Sequence, residues 1–227
     1  MRHIDLNADL GEEVTDDDAL LEIVTSANVA CGYHAGNADI MAAVCRRAAA
    51  LGVSVGAQVS YDDREGFGRV PLDVEPDVLR DQVADQVATL SRIAAAAGTT
   101  VRYVKPHGAL YHRVLDDEVQ AGAVLEGSWE LPVLTMPGAM AGLAVAAGRV
   151  VRTEGFPDRG YDVDGRLLPR DRPGAVLQDS ARVAARAVEL AGLVGSVCVH
   201  GDTPGAVAHA QAVRQALEAA GWTLRGL

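Results

Sequence analysis

The feature that most constrains this chain is an alternation between short β-branched or apolar runs and longer Ala-rich stretches, sustained over its 227 residues. The short runs are Arg2–Leu6, Ile23–Val29, Val53–Ala57, Val101–Val104, Pro132–Leu134, Val150–Thr153 and Ser196–Val199. Each is bounded by Gly, Pro, Asn or Asp and predicts a strand. The intervening stretches Ile40–Leu51, Pro76–Ala97, Asp117–Gly127, Ala139–Ala147, Asp179–Gly192 and Pro204–Ala220 predict helices. They carry apolar residues three and four apart, as in Val83, Val87, Leu90 and Ile93. Several end at a capping glycine: Gly52, Gly98, Gly192 or Gly221. Strands that alternate with helices imply a parallel sheet with helical crossovers. Seven such units predict a closed or nearly closed (β/α) barrel. An open, doubly wound sheet is the alternative that periodicity leaves standing. No linker, repeat or low-complexity segment divides the chain, so one domain is expected over 1–227.

Composition narrows the partners. Aromatic residues make up only 4%, so the core must be built from Val, Leu, Ile and Ala. The formal net charge is −11 and no basic run offsets it. Both facts exclude a nucleic-acid binder, which needs a positive surface and aromatic stacking platforms. Cys31, Cys45 and Cys198 are odd in number and form no CxxC, which argues against a disulfide framework or a zinc ribbon. Free thiols point to a reducing compartment. The segment Met1–Asp5 has no apolar run behind its positive charge, and no stretch approaches the roughly 18 apolar residues of a membrane helix. A soluble, cytoplasmic protein with no membrane partner is expected.

Chemistry concentrates at one end of the predicted strands. Asn7, Asp9 and Glu12 follow the first; Asn28, Cys31 and His34 the second; Gln58, Ser60, Tyr61, Asp62 and Asp63 the third. The fourth runs into Lys105-Pro106-His107-Gly108, with Tyr111 behind. Glu154, Asp158, Arg159 and Tyr161 follow the sixth, and His200-Gly201-Asp202-Thr203 the last. In a parallel barrel these positions converge on the C-terminal face, where such folds hold their sites. The opposite connections, such as Leu51-Gly52 and Ala97-Gly98, carry almost none. That placement marks His34, His107 and His200 as functional. His3, His112 and His209 lack it and read as surface or packing residues. Cys31 and Cys198 read as small buried hydrophobes rather than nucleophiles, and Cys45 as helix packing. Lys105 is suited to bind an anion or polarise a carbonyl, with an ion pair to a neighbouring strand-end Asp as the other reading. The irregular stretch Asp158–Gly174 reads as an active-site loop. No GxxxxGK[ST], GxGxxG or HExxH occurs, which removes support for a nucleotide site or a zincin.

Four of these segments resemble the LamB/YcsF family: Asp5-Leu6-Asn7-Ala8-Asp9-Leu10-Gly11-Glu12, Ser26-Ala27-Asn28-Val29-Ala30-Cys31-Gly32-Tyr33-His34-Ala35-Gly36, Val104-Lys105-Pro106-His107-Gly108-Ala109-Leu110-Tyr111 and Cys198-Val199-His200-Gly201-Asp202-Thr203-Pro204. The resemblance runs in order from Asp5 to about the end of the chain. It implies an irregular seven-stranded (β/α) barrel of the glycoside hydrolase/deacetylase type. It also implies the work of the A subunit of 5-oxoprolinase: hydrolysis of a lactam to glutamate with ATP cleavage, alongside B and C subunits on which ATP is bound. Three positions depart from the family. Gln58 stands where a histidine is usual, Asn37 where Asp is usual, and Pro157 precedes Asp158-Arg159 where Ala is usual. A carboxamide transfers no proton and binds metal far less well than imidazole.

Opening a five-membered lactam requires an activated carbonyl, an oriented water and a proton for the leaving amine. The expected catalytic set is His107 or His200 as base, Asp9 or Asp202 as orienting carboxylate or acid, and Lys105 against developing negative charge. Asn7, Asn28, His34, Tyr111 and Arg159 are the expected substrate-positioning residues. Two other readings stand beside this one. In the first, a stand-alone metal-dependent amide hydrolase uses Asp9, His34 and His107 or His200 as ligands. In the second, a non-catalytic subunit binds the lactam for its partners. Association into a homo-oligomer is compatible with all three.

Overall fold

A computed structural model describes residues 2–203 and 205–227. Met1 and Pro204, the latter the expected start of the last helix and the end of the last motif, lie outside the described residues. In chain order the elements are β1 (Arg2–Leu10), α1 (Asp17–Leu21), β2 (Ser26–Ala30), α2 (Ala38–Leu51), β3 (Ser54–Val59), α3 (Pro76–Ala96), β4 (Val101–Pro106), α4 (Gly108–Asp116), α5 (Glu118–Gly127), β5 (Val133–Thr135), α6 (Ala139–Ala146), β6 (Val151–Gly155), α7 (Ser180–Ala191), β7 (Ser196–Val199), α8 (Ala206–Ala219) and β8 (Trp222–Leu224).

The first seven strands close on themselves in sequence order, every pair parallel, because β1 pairs with both β2 and β7. The barrel outcome therefore holds over the open sheet. Closure leaves no free edge among these seven strands. The barrel is irregular: β1 has nine residues and β5 only three. β8 lies outside the ring and extends the sheet along the first residues of β1, with Arg2 opposite Trp222 and Ile4 opposite Leu224.

Two layers of different chemistry follow from the period-two alternation of strands. On β1, Leu6, Ala8 and Leu10 join an apolar shell shared with Val83, Val87 and Leu90 of α3 and with Val213 and Leu217 of α8. The residues between them, Asp5, Asn7 and Asp9, face the barrel interior and hydrogen-bond across it. Thr25 and Ser26 hydroxyls donate to Asp5 Oδ1 at 2.7 Å each, and Ser196 Oγ donates to Asp5 Oδ2. Asn7 Nδ2 donates to Ser196 Oγ at 2.6 Å. Asn28 Nδ2 donates to Asn7 Oδ1 at 2.7 Å and to Asp9 Oδ1 at 2.9 Å, while Tyr103 Oη donates to Asn28 Oδ1 at 2.7 Å. The Tyr103 ring crosses the barrel over Gly56, where a Cβ would lie 2.2 Å from Cε2. Only glycine fits beneath it.

That polar interior explains where the strands exceed expectation. β1, β3 and β4 continue to Leu10, Val59 and Pro106 because their terminal polar residues sit on strand, aimed inward, rather than on loops. Three elements were not expected: α1, capped by Asp16 accepting from Ala19 N; α4; and β8. Among the described residues no helix is long and apolar enough to cross a membrane.

Candidate active site at the barrel mouth

The strand-end residues meet on one face, around a cavity of about 880 Å³. Asp9, Lys105, His107, Tyr111, Phe156, Arg159, His200 and Asp202 all line it. Asn7 and Asn28 do not: both are fully buried in the hydrogen-bonded interior beneath it. Asn28 holds Asp9, and Asn7 Oδ1 accepts from Asn28 and Lys105.

Lys105 is the centre of the floor. Its Nζ lies 3.3 Å from Asp9 Oδ1, 3.0 Å from Glu154 Oε2, 3.3 Å from Asn7 Oδ1 and 3.1 Å from Cys198 Sγ, and 5.2 Å over the Phe156 ring. Burial disfavours its charge, but Asp9, Cys198 and Glu154 outweigh that and raise its pKa well above the ordinary lysine value. Burial likewise pushes Asp9 up, yet Lys105, His200 and Asn28 bring its carboxyl below the usual range. Glu154 goes the other way, because its burial exceeds what Lys105 returns. Cys198 is a thiol whose pKa burial raises well above normal, so it is no nucleophile here.

On one side of Lys105 stands His200. Its Nδ1 faces Asp158 Oδ2 at 3.0 Å, its backbone N–H donates to the same oxygen at 3.1 Å, and Phe156 stacks on the ring at 5.1 Å. Asp158 is fully buried, but the neighbouring His200 overcomes the burial and keeps its pKa below the usual value. The other ring edge, Nε2, has no hydrogen-bond partner among the described residues, and the residue lines the cavity. A carboxylate fixing Nδ1–H while Nε2 faces a cleft is the arrangement of an oriented general base. The carboxylate that contacts His200 Nδ1 is Asp158, not Asp9 or Asp202. Asp202 is held by Arg69 and by Arg170 Nη1 at 3.2 Å, and these charges outweigh burial and depress its pKa. Arg159 lines the cavity while its guanidinium donates to the carbonyls of Ala175 at 3.0 Å and Leu168 at 2.7 Å. It braces the loop after β6. Tyr111 Oη accepts from Met136 N at 2.8 Å, leaving the ring as an apolar wall beside Phe156.

On the other side lies a buried cluster of Glu12, His34 and His107. The two imidazoles stack with centroids 3.9 Å apart and planes 10° from parallel, and the Phe67 ring meets both edge-on. His34 Nε2 is 3.6 Å and His107 Nδ1 is 3.4 Å from Glu12 Oε1. His107 Nε2–H donates to Phe67 O at 3.0 Å, and Gln58 Nε2 donates to His107 Nδ1 at 2.9 Å and to Glu12 Oε1 at 3.0 Å. Both nitrogens of His107 are occupied. Burial, followed by the neighbouring His34 imidazole, lowers its pKa well below the ordinary value, so it is neutral. As a base it is thus less available than His200. The loop over the cluster is pinned at Gly108, which has φ +58° and whose Cβ would lie 2.2 Å from Gly68 O.

Could this cluster hold a metal ion? Two imidazoles and a carboxylate are a donor set that suits a divalent cation. The three ligand atoms all lie within 4.8 Å of one another, and His34 Nε2 is buried without a hydrogen-bond partner. The residues therefore fit, with one correction: Glu12 completes the set in place of Asp9, which is committed to Lys105 and Asn28. Of the three, only His107 reaches the cavity wall.

Glu12, Gln58, Ser60, Glu154 and Asp158 stood in the sequence among the strand-end residues but without assigned roles. Position alone could have nominated them; only pairing distances assign them.

The family model for the LamB/YcsF family matches residues 4–227. The chain belongs to the LamB/YcsF family. Among its relatives is a protein of Streptomyces avermitilis named as the A subunit of 5-oxoprolinase, 52% identical over 96% of this chain and 97% of that one. Among solved structures, a lactam utilization protein from Thermus thermophilus superposes with a TM-score of 0.92 at 34% identity, covering 99% of this chain and 100% of that one. The catalytic domain of a peptidoglycan N-acetylglucosamine deacetylase from Eubacterium rectale gives 0.56 at 14% identity, covering 100% of this chain and 88% of that one. That last likeness shows the fold alone, a deacetylase-type barrel beneath the LamB/YcsF sequence.

Proposed function

We propose that this chain is the A subunit of an ATP-dependent 5-oxoprolinase, hydrolysing the lactam of 5-oxo-L-proline to L-glutamate together with B and C subunits. The observation that carries the reading is that Lys105 and the Asp158-held His200 line the same cavity, in a chain about half identical to proteins named for that activity. In this mechanism His200 Nε2 takes a proton from water as the oxygen attacks the lactam carbonyl carbon. Lys105 Nζ stabilises the negative charge on the oxygens of the tetrahedral centre that forms. His200 then returns the proton to the ring nitrogen as the C–N bond breaks, and Asp158 stabilises the transient imidazolium. Phe156 and Tyr111 supply an apolar wall for the ring methylenes.

ATP raises the electrophilicity of the lactam when its phosphoryl group is transferred to the amide oxygen; C–N cleavage after attack by water then leaves an acyl phosphate, and a second water releases inorganic phosphate and the glutamate carboxylate. This chain carries no phosphate-loop motif, which supports placing that step on the partner subunits. The deciding experiment is coexpression with the B and C subunits and an assay for 5-oxoproline-dependent ATP hydrolysis and glutamate release. ATP hydrolysis that does not depend on this chain, or no glutamate, refutes the reading.

A second reading is favoured by the Glu12, His34 and His107 cluster: a metal-assisted amide hydrolase acting alone. Those three residues would hold the ion, and a divalent ion supplies Lewis acidity toward water or a carbonyl when bound. Metal analysis of the purified protein and the effect of a chelator separate the two.

A further inference from the structure

The Glu12, His34 and His107 cluster contains a fourth side chain that is not a metal ligand as placed. Gln58, next to last on β3, stands at the centre of the cluster, fully buried, with its amide nitrogen 3.0 Å from Glu12 Oε1 and 2.9 Å from His107 Nδ1. Those are the two atoms that, with His34 Nε2, would face a cation. This orientation gives a donor to both Glu12 Oε1 and His107 Nδ1, whose Nε2–H is already committed to Phe67 O. The histidine tautomers follow from the same network. His34 Nδ1–H donates to Ser60 Oγ at 2.9 Å, whose hydroxyl donates to Tyr61 O at 2.9 Å, leaving Nε2 as a bare lone pair. His107 donates through Nε2 to Phe67 O, leaving Nδ1 as acceptor.

Of three lone pairs that would converge on an ion, two are therefore filled by one carboxamide and one is left open. The near-parallel stacking at 3.9 Å adds to this, because in-plane lone pairs on parallel rings do not meet at a point. An ion bound by all three requires Gln58 to leave and one ring to turn.

We propose that Gln58 is an internal competitor for the metal site: its amide occupies the ligand atoms of Glu12 and His107 and sets a low affinity for divalent cations. The inference concerns this chain's own residues and does not depend on which substrate is opened. Changes to groups bonded to metal ligands typically shift affinity about 10–100-fold, and removing a competing donor should act in that range.

The test is a titration of the purified full chain with Zn²⁺ by calorimetry, and with Co²⁺ by the visible bands that report its coordination. Wild type is compared with Gln58→Ala and with Gln58→Asn, whose shorter amide cannot span both partners. The expected result is binding about 10–100-fold tighter in both variants, abolished when Glu12→Gln is added, with tetrahedral-type Co²⁺ bands appearing only once Gln58 is changed. If Gln58→Ala does not fold, Gln58→Asn carries the comparison; if neither folds unaided, recovery of the folded state by Zn²⁺ supports the proposal and its failure opposes it. Equal affinity in all forms, no binding in any, or tighter binding by wild type, which would make Gln58 a ligand through Oε1, overturns it. Each outcome is read from metal binding alone, so loss of the 5-oxoprolinase reading would leave the result interpretable.

Discussion

Replacing Lys105 with Met should both inactivate and destabilise the protein, and the two effects can be separated. The ammonium lies 3.3 Å from Asp9 and 3.0 Å from Glu154 at a site 3% exposed. At an effective dielectric of about 20 each contact is worth roughly 5 kcal/mol of attraction, most of it offset by desolvation of the charges. Methionine keeps the volume but strands the Asp9 carboxylate, and an uncompensated buried charge costs about 3–5 kcal/mol. For a chain of this size each kcal/mol moves Tm by about 2–4 °C, so thermal unfolding at pH 7.5 should shift down by about 6–20 °C. In wild type the depressed pKa of Asp9 contributes stability that is present above its unfolded value and lost as pH falls through the folded one. In the variant that pKa rises instead, so its penalty is full at neutral pH and fades as the carboxyl takes up a proton. The Tm gap should therefore narrow between pH 7.5 and about pH 4.5. Adding Asp9→Asn to Lys105→Met should recover much of the lost Tm and none of the turnover. Circular dichroism melts of the three proteins decide the matter. A single variant within about 2 °C of wild type at pH 7.5, or a double variant no better than the single, refutes the stranded-charge argument.

His200→Ala should lower turnover by about 10²–10⁴ with little change in Tm, and Asp158→Asn should do the same through loss of the orienting anion; steady-state assays of the reconstituted complex, paired with melts, check both. Gly108→Ala must place a Cβ 2.2 Å from Gly68 O at φ +58°, so a cost of about 1–3 kcal/mol is expected in chemical unfolding, together with a displaced Phe67 loop. All three thiols should resist iodoacetamide at pH 8 in the folded protein and react on unfolding, since burial raises the pKa of Cys31 and Cys198 and pushes Cys45 up to about 11. Mass spectrometry of labelled protein counts them. His209→Ala should leave turnover unchanged, because His209 packs on α8 against Ser180 Oγ, 2.7 Å from its Nδ1, away from the cavity.

The fold was legible because the alternation of patterns is a statement about burial on both faces, and only parallel sheets wrapped in helices satisfy it. What could not be read was which polar residues belong to the strands. Asp5, Asn7 and Asp9 look like a strand running into a loop, yet they occupy one inward column whose partners Ser26, Asn28 and Ser196 lie about 20 to 190 residues away. α4 shows the opposite failure. Leu110, Tyr111, Val114 and Leu115 form a helical stripe, but it begins at Gly108, directly after a strand, where a loop was the natural reading. The convergence of His34, His107 and His200 on one face was legible from strand-end position. Their division of labour was not, because it depends on contacts. Asp158 and Asp202 are equivalent in sequence terms, and only the placement of Arg69 and Arg170 commits the second to ion pairs and leaves the first for His200.

The site divides further into fixed and movable parts, which bears on how a substrate enters. Asp9 and Lys105 sit on barrel strands, tied downward through Asn28 and Asn7 to Ser196 and Asp5, so their relative geometry is set by the barrel and not by the loops. A site supported this way holds its charges in place before substrate arrives, which is what electrostatic stabilisation of a transient oxyanion needs. The mouth is different. Asp202, after β7, joins Arg69 from the loop after β3 and Arg170 from the loop after β6, so one carboxylate ties three loops across the opening. These pairs are partly solvent-exposed and individually weak, so they can part at little cost. The rigid floor accounts for the chemistry and the breakable ties for access, and the boundary between them runs where the strands end.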